Sequence, residues 1–139
     1  MPRKPKALVL DSWAVLAYLG DEASGQEVAD LITSAHEHRI PMLMSIVNAG
    51  EVWYVLAREI SEAKADTAVA DLIGLGIELV DADWPLTRIA GTFKARYKMS
   101  YADCFAAALA RDRKSDLVTG DKEFKQVEGE VGIRWLGLK

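Results

Sequence analysis

Four acidic residues stand in apolar or junction positions, where their side chains could do chemistry together. Asp11 follows the apolar run "ALVL", and Asp121 follows "LVTG". Glu51 and Asp103 lie inside the helical patterns "SIVNAGEVWYVLARE" and "SYADCFAAALARD", which carry no other charge near them. A buried carboxylate without a partner is costly, so several of them need a shared physical reason. Hard divalent cations such as Mg²⁺ and Mn²⁺ bind converging carboxylate oxygens and therefore supply one.

Each acid taken alone also has an ordinary structural explanation. Asp11 and Asp121 can cap helices by accepting backbone N–H bonds. Asp103 can form a capping-box-like pair with Ser100, and Glu51 can be half exposed with its stem on apolar neighbours. A metal site therefore requires that the elements carrying these residues meet.

Apolar runs of strand length alternate with helical patterns along the chain, which predicts βαβ units around a mostly parallel sheet. Ligands of such sheets bind beyond the carboxyl ends of the strands, so Asp11 and Asp121 should share one edge and Asp116 should lie at the other. The predicted strands cover 7–10, 41–45, 77–80, 116–119 and 133–136, and the predicted helices lie near 12–19, 24–38, 46–60, 62–74, 84–97 and 101–112.

Length and composition predict one globular domain over residues 1–139, with the basic segment 1–6 as a solvated tail. The only cysteine, Cys104, cannot form an internal disulfide, which favours a reducing, cytoplasmic location. The apolar stretches are too short for a membrane span. The net charge of −4 disfavours nucleic-acid binding through bulk charge, but it allows an acidic metal site with a local basic rim.

Four motifs in this order resemble those of the PIN domain, and within it the VapC-type toxin ribonucleases of toxin–antitoxin pairs: "LVLDSWAVLAYL", "SIVNAGEVWYVL", "MSYADCFAAALA" and "LVTGDKEF". The resemblance implies a three-layer α/β/α fold with a central, mostly parallel sheet of four to five strands. One departure is Trp13, which is bulkier than the residue expected after "DS". Its side chain packs in the core, narrows the mouth of the site or contacts a partner.

The resemblance carries the family's acidic residues onto Asp11, Glu51, Asp103 and Asp121. It implies an endoribonuclease with one or two Mg²⁺ or Mn²⁺ ions per subunit, in which Asp11 is the central ligand. Asp103 and Glu51 would hold the metal from their helices, and Asp121 would complete a second position or orient the attacking water. Water attack would leave a 5′-phosphate and a 3′-hydroxyl on the products.

Further polar residues are expected around these ligands. Three of them should hold the carboxylates in position without binding the metal themselves: Ser12, Asn48 and Thr119. Asn48 would orient the Glu51 carboxylate. Basic side chains before the Asp103 helix could form a rim for RNA, with a solvated face as the alternative. These are Lys94, Arg96 and Lys98, together with Arg58.

The resemblance also implies partners. A small antitoxin would block the acidic groove, and any DNA contact would be made by the antitoxin. Four aromatic residues exceed what so small a core must bury, which favours a homodimer, with core packing as the alternative for some of them. These are Trp53, Tyr54, Trp84 and Phe93.

The sequence also offers three alternatives to a metal-dependent ribonuclease. A phosphatase of the haloacid-dehalogenase type needs a second Asp where this chain has Trp13, and a non-catalytic PIN-like RNA-binding module would lack one or more of the acids. His36 and His38 could serve a metal-free ribonuclease, but their polar surroundings favour a solvated helix end.

Overall fold

The computed structural model describes residues 5–137, so residues 1–4 of the predicted basic tail lie outside the described part. A parallel five-stranded sheet, in the order β3-β2-β1-β4-β5, forms the centre of the fold. No helix within residues 5–137 has the length and hydropathy to cross a membrane. The elements are β1 (Leu8–Leu10), α1 (Ser12–Leu19), α2 (Ala23–His38), β2 (Met42–Ser45), α3 (Ile46–Glu59), α4 (Glu62–Gly74), β3 (Ile77–Val80), α5 (Trp84–Arg96), α6 (Tyr101–Asp112), β4 (Asp116–Thr119), a 3-10 helix (Lys122–Val127) and β5 (Ile133–Trp135).

The predicted α/β architecture is confirmed, and the local signals in the sequence explain its boundaries. The hydroxyl of Ser45 accepts the Val47 N–H at the start of α3, and that of Ser100 accepts the Asp103 N–H at the start of α6. Such caps satisfy backbone donors that have no partner inside the helix. Helix starts and strand ends are therefore fixed locally, close to the residues that carry the candidate chemistry.

Two apolar cores cover the two faces of the sheet. Leu8 and Leu10 point into the core under α1 to α4, whereas Val9 points into the core under α5, α6 and the 3-10 helix. Phe93 is only 1% exposed and fills this second core, so it cannot serve the dimer surface for which the sequence proposed it. Tyr54 is 48% exposed, and Trp84 is 70% exposed.

The sheet has its topological switch point between β1 and β4. The chain leaves β1 toward the face covered by α1 to α4, and it leaves β4 toward the face covered by the 3-10 helix. The two strands pair in parallel with Leu10 opposite Val118, so their carboxyl ends stand side by side. A crevice opens at such a point, and this one carries Asp11 and Asp121.

Candidate metal centre

Asp11 is the innermost acid of the site, with a side chain that is 1% exposed. Its Oδ1 accepts the Ala14 N–H at 2.8 Å and so caps α1, the structural role that the sequence allowed for this residue. Its Oδ2 accepts the hydroxyl of Thr119 at 2.5 Å. Each oxygen retains a second lone pair, so the carboxylate can be held in place and still bind a cation.

Thr119 connects the two strand ends. Its Oγ1 donates to Asp11 and accepts the backbone N–H of Asp121 at 3.0 Å. Asp121 in turn accepts the Glu123 N–H at 2.9 Å and caps the 3-10 helix. One buried hydroxyl thus sets the position of Asp11 relative to the turn that carries Asp121.

Asp103 enters the site from the first turn of α6. The helix behind it is buried from Cys104 to Ala110, so its N-terminal end is fixed against the sheet. The Asp103 side chain is half-buried, and its backbone N–H is capped by Ser100. Ser100 is therefore the residue that caps α6, and Asp103 takes part in this cap through its backbone.

Three carboxylates converge at the mouth of the crevice. Asp103, Asp121 and Glu123 each offer an oxygen, and these oxygens lie within 4.8 Å of one another. Sequence reasoning missed Glu123, which is exposed. The available signal was its position two residues after Asp121, where the turn into the 3-10 helix brings both acids to one edge.

The causes of the pKa shifts of Asp11 and Asp103 show which acidic side chains repel one another. Burial, followed by the nearby charges of Asp103 and Asp121, raises the pKa of Asp11 to about 7, although its bonds from Thr119 and Ala14 oppose the shift. Burial and the charge of Asp121 raise the pKa of Asp103 to about 6. Glu51 and Glu123 add smaller repulsions to Asp103. Electrostatic repulsion thus links Asp103 to Asp11, Asp121, Glu51 and Glu123, and we call these five residues the acidic cluster.

Asn48 behaves differently from the prediction. Its Nδ2 donates to the Ser12 hydroxyl at 3.3 Å and to the Ala102 carbonyl at 3.1 Å, rather than to the Glu51 carboxylate. The Ser12 hydroxyl donates to the backbone carbonyl of Asn48 at 3.2 Å. The amide joins α3 to the residues next to Asp11 and Asp103, so it fixes the helices relative to one another instead of orienting Glu51. Its Oδ1 is buried without a hydrogen-bond partner among the described residues.

The four basic residues proposed as an RNA rim are exposed. The Lys94 ammonium donates to the Met99 carbonyl at 2.7 Å, and Arg96 lies 3.9 Å from Glu130. Arg58 lies over the Tyr54 ring, 5.5 Å from its centroid. Lys98 is bound to Gln126 through its backbone, which leaves its side chain at the surface.

The two histidines have structural partners away from the acidic cluster. His36 contacts the Leu75 carbonyl at 2.6 Å, and His38 contacts the Ser34 carbonyl at 2.8 Å. Both are exposed near the end of α2, as the sequence predicted.

The donor set fits a hard divalent cation. All the donors of the acidic cluster are carboxylate oxygens, which suit Mg²⁺ and Mn²⁺ better than softer metals. Burial, together with repulsion from neighbouring carboxylates, raises the pKa values of Asp11 and Asp103, and a bound cation would oppose both effects.

Comparison with known proteins agrees with this geometry. The family model of the PIN domain matches residues 8–130, and the chain belongs to that family. A comparison with curated proteins gave no match.

Solved structures of VapBC systems share the fold. VapBC2 from Rickettsia felis, bound to a promoter DNA fragment, has a TM-score of 0.74 and 15% identity, with 94% of this chain and 98% of that chain covered. DNA-bound VapBC from Salmonella typhimurium has a TM-score of 0.71 and 19% identity, with 92% of this chain and 96% of that chain covered. VapC20 from Mycobacterium tuberculosis is a toxin that cleaves the sarcin–ricin loop. It has a TM-score of 0.68 and 20% identity, with 92% of this chain and 99% of that chain covered.

Proposed function

We propose that this chain is a divalent-metal-dependent endoribonuclease, a VapC-type toxin that a cognate antitoxin inhibits. The observation that carries the proposal is the acidic cluster at the switch point of a PIN-domain sheet. The haloacid-dehalogenase alternative has no support in the family match, and a non-catalytic module would not need three carboxylates within 4.8 Å of one another.

The acidic cluster supplies the ligands. Asp11 would be the central ligand, with Asp103 and Glu51 completing the coordination from α6 and α3. Asp121, with Glu123 beside it, would form a second position or orient the attacking water. One or two Mg²⁺ or Mn²⁺ ions, when bound, lower the pKa of water and stabilise charge on the scissile phosphate.

The remaining residues of the site do the positioning. Thr119 holds the Asp11 carboxylate, while Asn48 ties Ser12 and Ala102 to α3. Because these contacts are buried, the carboxylates face the crevice in a fixed arrangement before substrate arrives. Hydrolysis would leave a 5′-phosphate and a 3′-hydroxyl.

RNA would approach over the basic residues near the mouth of the crevice. The Lys98 side chain is exposed, and Arg58 is exposed while it lies over the Tyr54 ring, whereas Lys94 and Arg96 are partly engaged with Met99 and Glu130. We therefore propose Lys98 and Arg58 as the principal phosphate contacts of this rim, with Lys94 and Arg96 in a supporting role.

The proposed partners follow from the VapBC structures that share the fold. A VapB-like antitoxin would cover the acidic crevice, and contact with DNA would come through that antitoxin. The exposed aromatic side chains of Tyr54 and Trp84 support a homodimer surface. The cytoplasm is the proposed location, since Cys104 is a free thiol.

Cleavage of RNA by the antitoxin-free protein tests the proposal. Wild-type protein should cut RNA in Mg²⁺ or Mn²⁺, stop in chelator, and leave ends with a 5′-phosphate. Asp11→Asn and Asp103→Asn should abolish cleavage, whereas Asp116→Asn, at the opposite edge of the sheet, should retain it. Equal activity of the wild type and Asp103→Asn, or 2′,3′-cyclic phosphate ends formed in chelator, would refute the assignment.

A further inference from the structure

A second recess adjoins the acidic crevice at the carboxyl ends of β4 and β5. It has a volume of about 460 Å³, and its lining includes Trp13, Gly120, Lys122, Lys125 and Trp135. Gly120 stands between Thr119 and Asp121, so the wall of this recess continues directly into the turn that carries the acidic cluster. We call it the tryptophan pocket.

The Trp13 ring is fixed in this wall by the absence of a side chain at position 120. A Cβ built on Gly120 would lie 2.3 Å from Cη2 and 2.4 Å from Cζ3 of Trp13. The indole therefore lies directly against the Gly120 backbone. Trp13 is partly buried, and its ring packs on the core under α1 and α2 while still lining the pocket.

A hydrogen bond and core packing hold Trp135 in place. Its Nε1 donates to the Glu128 carboxylate at 3.0 Å, and its ring packs against the core under α5 and α6. Since its polar atom is satisfied, the part of the ring that lines the pocket offers apolar aromatic surface. Two positioned indoles thus contribute to one open recess.

Two cations stand beside the indoles. Lys122 and Lys125 both belong to the exposed side of the 3-10 helix and line the pocket. In the described part of the chain, the ion pairs are made by Arg96, Arg111 and Arg113, and neither lysine takes part. One carboxylate, that of Glu128, also lines the pocket, but it is bound to the Trp135 N–H, and the two lysine charges outnumber it.

Aromatic surface beside free cations is the combination with which proteins hold single-stranded nucleic acid. Bases stack on the aromatic rings, and lysines neutralise the neighbouring phosphates. We propose that the tryptophan pocket holds an unpaired base of the RNA substrate, next to the phosphate at the acidic cluster. Lys122 and Lys125 then contact the flanking phosphates. This inference rests on the proposed ribonuclease function and adds to it a requirement for single-stranded RNA at the cleavage site.

Binding measured without cleavage tests the pocket. The full chain carrying Asp103→Asn, kept in chelator, is titrated with an eight-nucleotide oligoadenylate and with an abasic oligomer of the same length. Tryptophan fluorescence should be quenched by the oligoadenylate, and the abasic oligomer should bind about 5- to 100-fold more weakly. Comparing two ligands on one protein keeps this measurement independent of how any pocket variant folds.

Protein variants locate the contact. Trp13→Leu should weaken oligoadenylate binding by a similar factor and remove much of the quenching. The control Ile73→Ala, at an exposed position of α4, should change neither affinity nor the base requirement. The double variant Lys122→Gln/Lys125→Gln should reduce the slope of log Kd against log salt by about 1.4, because each lost phosphate contact contributes about 0.7.

The outcomes separate this inference from the proposed function. If metal-dependent cleavage by the wild type is confirmed, but KM is unchanged in Trp13→Leu and the abasic oligomer binds equally well, the pocket assignment is wrong and the function stands. Quenching of tryptophan fluorescence by the co-purified antitoxin only, with none caused by RNA, would assign the pocket to the antitoxin and overturn our inference. If the wild type cleaves no better than Asp103→Asn, the ribonuclease proposal itself fails.

Discussion

The hydroxyl of Thr119 donates to Asp11 Oδ2 at 2.5 Å across 108 residues of sequence, and the same oxygen accepts the Asp121 N–H. A single buried side chain therefore coordinates the ends of the two central strands. Since Asp11 is 1% exposed, this bond substitutes for water that the carboxylate has lost. It also lowers the pKa of Asp11, against the effect of burial.

Thr119→Val should disrupt the site while keeping the shape of the side chain. Asp11 loses a donor and the Asp121 N–H loses its acceptor, so we expect about 10- to 100-fold weaker Mn²⁺ binding by calorimetry and a matching loss of cleavage. The free energy of unfolding should fall by about 1–3 kcal/mol. Thr119→Ser keeps the hydroxyl and should remain close to the wild type. Equal Mn²⁺ affinity in Thr119→Val and Thr119→Ser would show that the Thr119 hydroxyl has no role in metal binding.

The metal-free protein should lose stability as pH rises from about 4 to about 7. The pKa of Asp11 is raised from 3.8 to about 7, so in this window the folded state holds a proton that the unfolded chain has released. The contribution of Asp11 to the free energy of unfolding is therefore highest at the acidic end of this pH range and falls as pH increases. Asp103, with a pKa of about 6, contributes in the same direction.

Thermal melts in chelator can isolate this effect. The Tm of Asp11→Asn relative to the wild type should increase between pH about 5 and about 7.5, and Mg²⁺ or Mn²⁺ should raise the wild-type Tm most at the higher pH. A difference between the two proteins that stays constant with pH would contradict the raised pKa.

Asp103→Asn should stabilise the metal-free fold at neutral pH. The substitution removes a negative charge that lies near Asp121 and Glu51, and we expect a gain of about 1 kcal/mol, reduced by the solvent access of this half-buried side chain. Denaturant unfolding in chelator measures it, with Asp112→Asn at the exposed end of α6 as the control. Clear destabilisation would mean that the carboxylate serves chiefly as a hydrogen-bond acceptor at the helix start.

The sheet and helices could be predicted because their signals are local. The apolar run before Asp11, the caps at Ser45 and Ser100, and the apolar body of α6 each determine an element without reference to distant residues. The convergence of Asp11 and Asp121 followed from a general property of parallel sheets. The acids in apolar surroundings were therefore visible in the sequence.

The rest of the site depends on contacts that sequence patterns do not carry. Glu123 lies in a polar, exposed stretch where an acid is ordinary, and only the turn after Asp121 brings it to the cluster. Asn48 reaches Ala102 across 54 residues because α3 and α6 pack together, whereas its spacing to Glu51 indicated a local contact. Helical spacing places two residues on one face, but it does not say which neighbour the side chain will bind.

Gly120→Ala should act through Trp13. The new Cβ would lie 2.3 Å from the indole, so the ring must move, and we expect a loss of about 1–3 kcal/mol in the free energy of unfolding. In a Trp13→Leu background the same change should cost much less, giving a coupling of about 0.5–3 kcal/mol in a double-mutant cycle. Gly91→Ala in α5, where a Cβ meets no atom within 4 Å among the described residues, should be neutral or stabilising. Additive losses in the cycle would show that Gly120 is required for a reason other than its contact with Trp13.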